Sequence, residues 1–139
     1  MTRRLLLFLP LAACLRADAE KDAIDLLASA ANGLSAGRPE QFLEAFDPSL
    51  PGFDKLQSDV RALIDAAELT CSLGILSNEG GDAERTLSVD WILQLAPKGD
   101  NPVSMRRQKT VKCRLRKVGK KWRIVEFEPL ELFAPPRAG

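Results

Sequence analysis

Apolar residues in the first half of the chain recur at intervals of three and four, which is the spacing of one helix face. Ile24, Leu27, Ala31 and Leu34 follow this pattern. It predicts a first helix from about Ala19 to Leu34.

Two further helices are predicted before any strand. Pro39 suits the first turn of a short second helix, which we expect to end near Asp47 and whose apolar side is Phe42, Leu43 and Phe46. A third helix is predicted over about Asp54 to Glu68. Its apolar stripe consists of Leu56, Val60, Leu63, Ile64 and Ala67.

From Leu69 onward the spacing of apolar residues changes to two, which predicts strands. Turn residues cluster at Asn78–Asp82 and between Pro97 and Pro102, and Gly119 lies at the tip of a tight hairpin. The four predicted strands begin near Leu69, near Leu87, near Val103 and at Lys121, and the last two end near Lys117 and Phe127. The pattern predicts an α+β fold, with three N-terminal helices packed on a four-stranded antiparallel meander.

The N-terminal segment, residues 1–19, has the parts of a secretory signal peptide. Arg3 and Arg4 precede an apolar run from Leu5 to Leu15, which is shorter than the roughly 20 residues that span a bilayer. The alternative is a buried N-terminal helix, which we expect Pro10 to interrupt.

Two cleavage sites compete at the end of this segment. Leu11-Ala12-Ala13-Cys14 resembles the lipobox of bacterial lipoproteins, in which Cys14 would become a lipidated N-terminus. Ala17-Asp18-Ala19 fits ordinary cleavage before Glu20. Arg16 favours the lipobox, because a charge so close before Ala19 hinders simple cleavage there. We therefore expect an exported protein, periplasmic or held at the cell envelope.

Charge limits the classes of partner. Removal of Arg3 and Arg4 lowers the formal charge from +1 to −1, so the sequence does not favour a nucleic-acid-binding protein. Acids dominate from Asp18 to Glu68, whereas the charged residues from Arg106 to Arg123 are all basic. We expect these two parts of the chain to face each other or different partners.

The order of elements resembles the nuclear-transport-factor-2-like superfamily, the cone-shaped fold of SnoaL-like polyketide cyclases and ketosteroid isomerases. The resemblance covers residues 20–133 and rests on the final "GKKWRIVEFEP" (Gly119–Pro129) and on "FDPSLPGFDKL" (Phe46–Leu56). It implies a curved sheet and a pocket between the sheet and the helices. Residues 134–139 are expected to be a disordered tail.

The residues needed for the enzymatic sites of that superfamily are mostly missing. The sequence contains no histidine and no tyrosine, so a base paired with an oxyanion-hole tyrosine cannot be assembled. No cofactor and no metal site are expected. Glu126 shares the alternation of Trp122 and Ile124, and with Asp90 it is a candidate lone base for a rival isomerase or cyclase function.

The basic run Arg106–Lys117 is interpreted as the solvated side of an amphipathic strand. Strict alternation turns Arg107 and Lys109 inward. Either a bulge redirects them, or they reach the pocket and bind an anion.

Together the pattern predicts a non-enzymatic exported domain that binds a small apolar or anionic ligand or a protein partner, and a homodimer is compatible with it. The candidate pocket residues are Phe42, Phe46, Trp91, Leu93, Arg107, Lys109, Trp122 and Glu126. Trp91 and Trp122 are interpreted as core residues, with a stacking platform for a ring-shaped ligand as the alternative.

The remaining cysteines, Cys71 and Cys113, are expected to stay unbridged and buried. The predicted turns pair Cys71 near Asp90 and Cys113 near Leu87, on strands that are separated by another strand. This spacing exceeds the roughly 7 Å limit on the Cα separation of a disulfide.

Overall fold

The computed structural model describes residues 2–99 and 103–136, and of residues 2–16 it describes the backbone only. Three helices are followed by four strands and a final turn of 3-10 helix. They are α1 (Thr2–Ser35), α2 (Pro39–Leu43), α3 (Phe53–Ala66), β1 (Ala67–Gly80), β2 (Glu84–Pro97), β3 (Met105–Val118), β4 (Lys121–Glu128) and the 3-10 helix Leu130–Phe133. The strands form one antiparallel sheet in the order β1-β2-β3-β4, which confirms the predicted α+β meander.

Helix α1 begins earlier than predicted, at Thr2 instead of Ala19, and its backbone stays helical through Pro10. The expectation that Pro10 interrupts a helix is therefore wrong for the backbone, because the fixed φ of proline is compatible with a helix that loses one hydrogen bond. The side chain of the predicted lipidation site, Cys14, lies outside the described part of the chain. Within the described residues, no helix is both long and apolar enough to cross a membrane.

Helix α2 ends at Leu43, earlier than the predicted end near Asp47. The chain leaves the helix because its backbone pairs with β4. Phe46 forms a parallel bridge to Ile124, whose N–H donates to the Ala45 carbonyl (2.7 Å) and whose carbonyl accepts from the Asp47 N–H (2.8 Å). This segment covers part of the free edge of β4.

The turn between β1 and β2 lies later than predicted. Strand β1 stays paired up to Gly80, which lies opposite Arg85, and a bulge separates Ile75 from Ser77. Cys71 consequently pairs with Leu93, three residues beyond the expected Asp90.

The two cysteines with described side chains, Cys71 and Cys113, are free, as predicted. Cys113 pairs with Leu87 as predicted, so the partners of the two cysteines are six residues apart along β2, or about 20 Å. Cys113 is buried, whereas Cys71 is half-buried and so less enclosed than expected.

The inner face of the sheet forms the core with the helices. All five alternating apolar residues of β2, from Leu87 to Leu95, are at most 1% exposed. On α1, the first core residue with a described side chain is Ala19. Asn78 Nδ2 donates to the Glu20 carbonyl (3.0 Å) and thereby attaches the middle of α1 to the hairpin between β1 and β2.

Candidate binding groove

The space between sheet and helices, where the resemblance implies a pocket, is filled by aromatic side chains. Five rings meet there with centroids between 4.8 and 5.8 Å apart: Phe42, Phe46, Trp91, Phe127 and Phe133. Each is at most 3% exposed. This aromatic cluster is a packed core, because its rings contact one another at the distances typical of aromatic pairs.

Five of the candidate pocket residues therefore lie in the interior or at its edge, where they pack against other side chains. Phe42, Phe46, Trp91 and Leu93 are at most 1% exposed, and Trp122 is 8% exposed. The sequence did not single out Phe133, which belongs to the 3-10 helix beyond the last strand and reaches the cluster only through the tertiary fold.

Glu126 lies outside the interior, contrary to the alternation expected of β4. The register of β3 and β4 shifts between Arg114 and Leu115, whose partners are Glu126 and Ile124. Val125 is the extra residue, so Phe127 is turned inward in the place that alternation assigns to Glu126. The Glu126 carboxylate is 59% exposed and accepts from Arg114 Nη2 at 2.6 Å.

Arg107 and Lys109 are not redirected by a bulge, because the register of β2 and β3 runs without a shift from Glu84 to Leu95. Arg107 is half-buried, and its Nη1 donates to the carbonyls of Leu132 (2.8 Å) and Ala134 (2.6 Å). Burial lowers the pKa of this guanidinium. Arg107 therefore binds the chain's own C-terminal segment, while Lys109 is exposed.

The same contact involves the first residues of the predicted tail, residues 134–139. Ala134, Pro135 and Pro136 are half-buried, and Ala134 accepts the bond from Arg107. Residues 137–139 lie outside the described part of the chain.

The outer face of the sheet carries the basic run, and acids on both neighbouring strands face it. Arg114 bonds Glu84 on β2 (2.9 Å) and Glu126 on β4 (2.6 Å), and these bonds raise the pKa of its guanidinium. Asp90 accepts from Gln108 Nε2 at 3.1 Å on each oxygen. The run is thus a partly paired, solvated strand face, and both Asp90 and Glu126 accept hydrogen bonds from its side chains.

A groove of about 620 Å³ opens at the edge of β4 that faces away from β3, between α1, α2 and the hairpin that joins β3 to β4. Its helical wall carries Asp22, Asp25, Leu26, Ser29, Gln41, Glu44 and Ala45, and its hairpin wall carries Lys120, Lys121, Trp122 and Arg123. The acidic and basic parts of the sequence therefore face each other here. A volume of this size lies in the range of small-ligand sites.

The charged side chains described in the two walls are not paired across the groove. Asp25 is 3.6 Å from Lys21 on its own helix, and both side chains are more than half exposed. Among the described residues, no salt bridge joins the helical wall to the hairpin wall. Such a groove can bind a molecule that carries both charges, because each wall offers charges of one sign.

Trp122 is the one sequence-predicted pocket residue that borders the groove. Its indole Nε1 is buried and has no hydrogen-bond acceptor among the described residues. The charged residues of both walls were missed as site residues, although the separation of acidic and basic segments signalled them. No group of three residues suited to holding a metal occurs in the described part of the chain.

No protein-family model matches the sequence, and no curated protein matches it either. Solved structures do match. An NTF-2-like protein of unknown function from Shewanella oneidensis is 11% identical, with a TM-score of 0.59 over 77% of this chain and 94% of that one. A type 2 hexachlorocyclohexane dehydrochlorinase is 11% identical, with a TM-score of 0.68 over 83% and 86% of the two chains.

A third match is a protein of unknown function with a cystatin-like fold from Nostoc punctiforme. It is 20% identical, with a TM-score of 0.53 over 78% of this chain and 90% of that one. Because the matched structures include an enzyme and proteins of unknown function, the likeness carries information about fold and not about activity. Together with the three helices and the meander, it shows that this chain has the nuclear-transport-factor-2-like fold, a cystatin-like cone.

Proposed function

We propose that this protein is an exported binding domain without catalytic activity of its own, and that the groove between α1, α2 and the hairpin is its binding site. The observation that carries this proposal is that the aromatic cluster fills the cone. A ligand would therefore bind outside the cluster, where the groove offers charges of both signs beside Trp122 and Leu26.

The rival enzymatic function has less support from the geometry. A general base has to lie within hydrogen-bond reach of a bound substrate. Glu126 is exposed and paired with Arg114, and Asp90 is held by Gln108 on the outer face of the sheet. Neither carboxylate borders the groove.

We further propose that the domain is anchored at the bacterial cell envelope through Cys14. Ala19 is 3% exposed and belongs to the core, and the Glu20 carbonyl is bonded by Asn78. Cleavage before Glu20 would remove a packed residue from α1, whereas cleavage before Cys14 keeps it. Among the residues with described side chains, the burial of Ala19 thus supports the lipobox over the second site.

Native mass spectrometry of the mature protein from its own host tests the binding function. We expect the wild type to carry a bound mass that the groove variant Asp22→Asn/Lys121→Gln loses. The matched control, Asp65→Asn/Lys112→Gln, changes two exposed charges outside the groove and should keep it. A wild type without any bound mass, or a mass that the groove variant retains, would contradict the proposal.

A further inference from the structure

The free edge of β4 continues into the groove. Both backbone groups of Ile124 bond the segment Ala45–Asp47 and therefore point away from β3. The register from Lys121 to Ile124 has no shift, and the direction of backbone groups alternates along a strand. The N–H and carbonyl of Trp122, two residues before Ile124, therefore point to the same free edge.

In the part of the chain that the structure describes, the Trp122 backbone has no partner on that edge. Among the described residues, neither its N–H nor its carbonyl takes part in a backbone hydrogen bond outside the sheet. Helix α2 ends at Leu43, and the chain first reaches β4 at Ala45. The groove is thus the part of the β4 edge that the segment Ala45–Asp47 does not cover.

The segment Ala45–Asp47 shows that this edge accepts an extended chain, since it forms a parallel bridge at Phe46. An exposed strand edge can bind an extended peptide through main-chain hydrogen bonds. The same bonds would be available at Trp122 to a chain that entered the groove.

The charges of the two walls define the ends of such a chain. Asp22 and Asp25 lie three residues apart on α1, where side chains share a helix face, and Glu44 joins them from the end of α2. On the other wall, Lys120, Lys121 and Arg123 lie around Trp122. The helical wall suits an ammonium group and the hairpin wall suits a carboxylate.

From these observations we propose that the groove binds a short extended peptide, which pairs in the antiparallel direction with the β4 edge, its central residue opposite Trp122. Its amino group then lies toward the Ile124 end of the groove, near Glu44 of the helical wall, and its carboxylate lies toward Lys120 and Lys121 of the hairpin wall. The apolar surface of Leu26 and Ala45 contacts its side chains. This assignment rests on the proposed binding function and names the class of ligand.

Titration of the purified mature protein with the tripeptide Ala-Leu-Ala, followed by NMR, tests the assignment. We expect saturable binding in the millimolar range, with shifts at the Trp122 backbone and at Asp22 and Lys121. A tripeptide N-methylated at its central residue should bind about 2- to 10-fold more weakly, because it loses one main-chain donor. Acetylation of its amino end together with amidation of its carboxyl end should weaken binding by a further few-fold.

The variants used for mass spectrometry serve as protein controls here. Asp22→Asn/Lys121→Gln should bind the free tripeptide about 2- to 5-fold more weakly for each charge removed, and Asp65→Asn/Lys112→Gln should bind like the wild type. Equal affinity for the N-methylated peptide, equal behaviour of the two variants, or no saturation would overturn the assignment. If the bound mass from the host still depends on the groove, the binding function stands while the peptide class fails.

Discussion

Arg85 binds Asn78 twice, through Nε to the side-chain oxygen at 3.0 Å and through Nη2 to the backbone carbonyl at 2.9 Å. Its Nη1 donates to the Gly80 carbonyl at 2.7 Å. Arg85 is the one charged residue in the described part of the chain that is buried, at 4% exposure. Because Asn78 also holds Glu20, the guanidinium connects the β1–β2 hairpin to α1.

Replacement of Arg85 by methionine should lower the free energy of unfolding by about 2 to 4 kcal/mol, because the part-buried bonds from its guanidinium to the carbonyls of Asn78 and Gly80 are lost. Urea denaturation measures the change. The control is Arg61→Met, which removes an exposed pair with Glu40 and should cost less than about 1 kcal/mol. Similar losses in both variants would show that the hydrogen bonds of Arg85 contribute no more to stability than an exposed ion pair does.

Replacement of Arg107 by alanine should release the C-terminal segment. The carbonyls of Leu132 and Ala134 would lose their donor, at a cost of about 1 to 3 kcal/mol. Hydrogen exchange at residues 130–134 should accelerate more than exchange in β2. Lys109→Ala, an exposed change on the same strand, should leave exchange at these residues unaltered, and an equal effect would contradict the role of Arg107.

Cys113 should make the protein less stable in alkali. Burial raises the pKa of its thiol from 9.0 to about 12, so the unfolded chain loses this proton at lower pH than the folded chain. The stabilisation is complete below about pH 9 and is lost as the pH rises through the folded pKa. Between about pH 7 and about pH 10, the free energy of unfolding should therefore fall more in the wild type than in Cys113→Ala. Equal pH slopes would contradict the burial of a neutral thiol.

Cys14→Ser should release the protein from membranes when it is expressed in a bacterium. The substitution keeps the apolar run but removes the thiol that acylation requires, and several acyl chains are needed for durable anchoring. Membrane fractionation and the N-terminal mass report the result, with Cys71→Ser as the control that leaves anchoring unchanged. If wild type and Cys14→Ser are both released with Glu20 as their N-terminus, the second cleavage site is the one used.

Local patterns in the sequence predicted the element types and much of the sheet. The alternation from Leu87 to Leu95 is fully buried in β2, and Leu87 lies opposite Cys113 as expected. These features were predictable because the period of apolar residues reports which side of an element is buried. The separation of acidic and basic segments also indicated that the two parts could face each other.

Tertiary structure decided the candidate site. The bulge at Val125 exchanged the inward positions of Glu126 and Phe127, and no spacing within one strand shows where its partner will force an extra residue. Phe133 packs into the aromatic cluster from beyond the last strand. The groove lies where α2 has ended at Leu43 and the following segment has not yet paired with Ile124. Periodicity describes one element at a time, whereas a groove depends on the distance between elements that are remote in sequence.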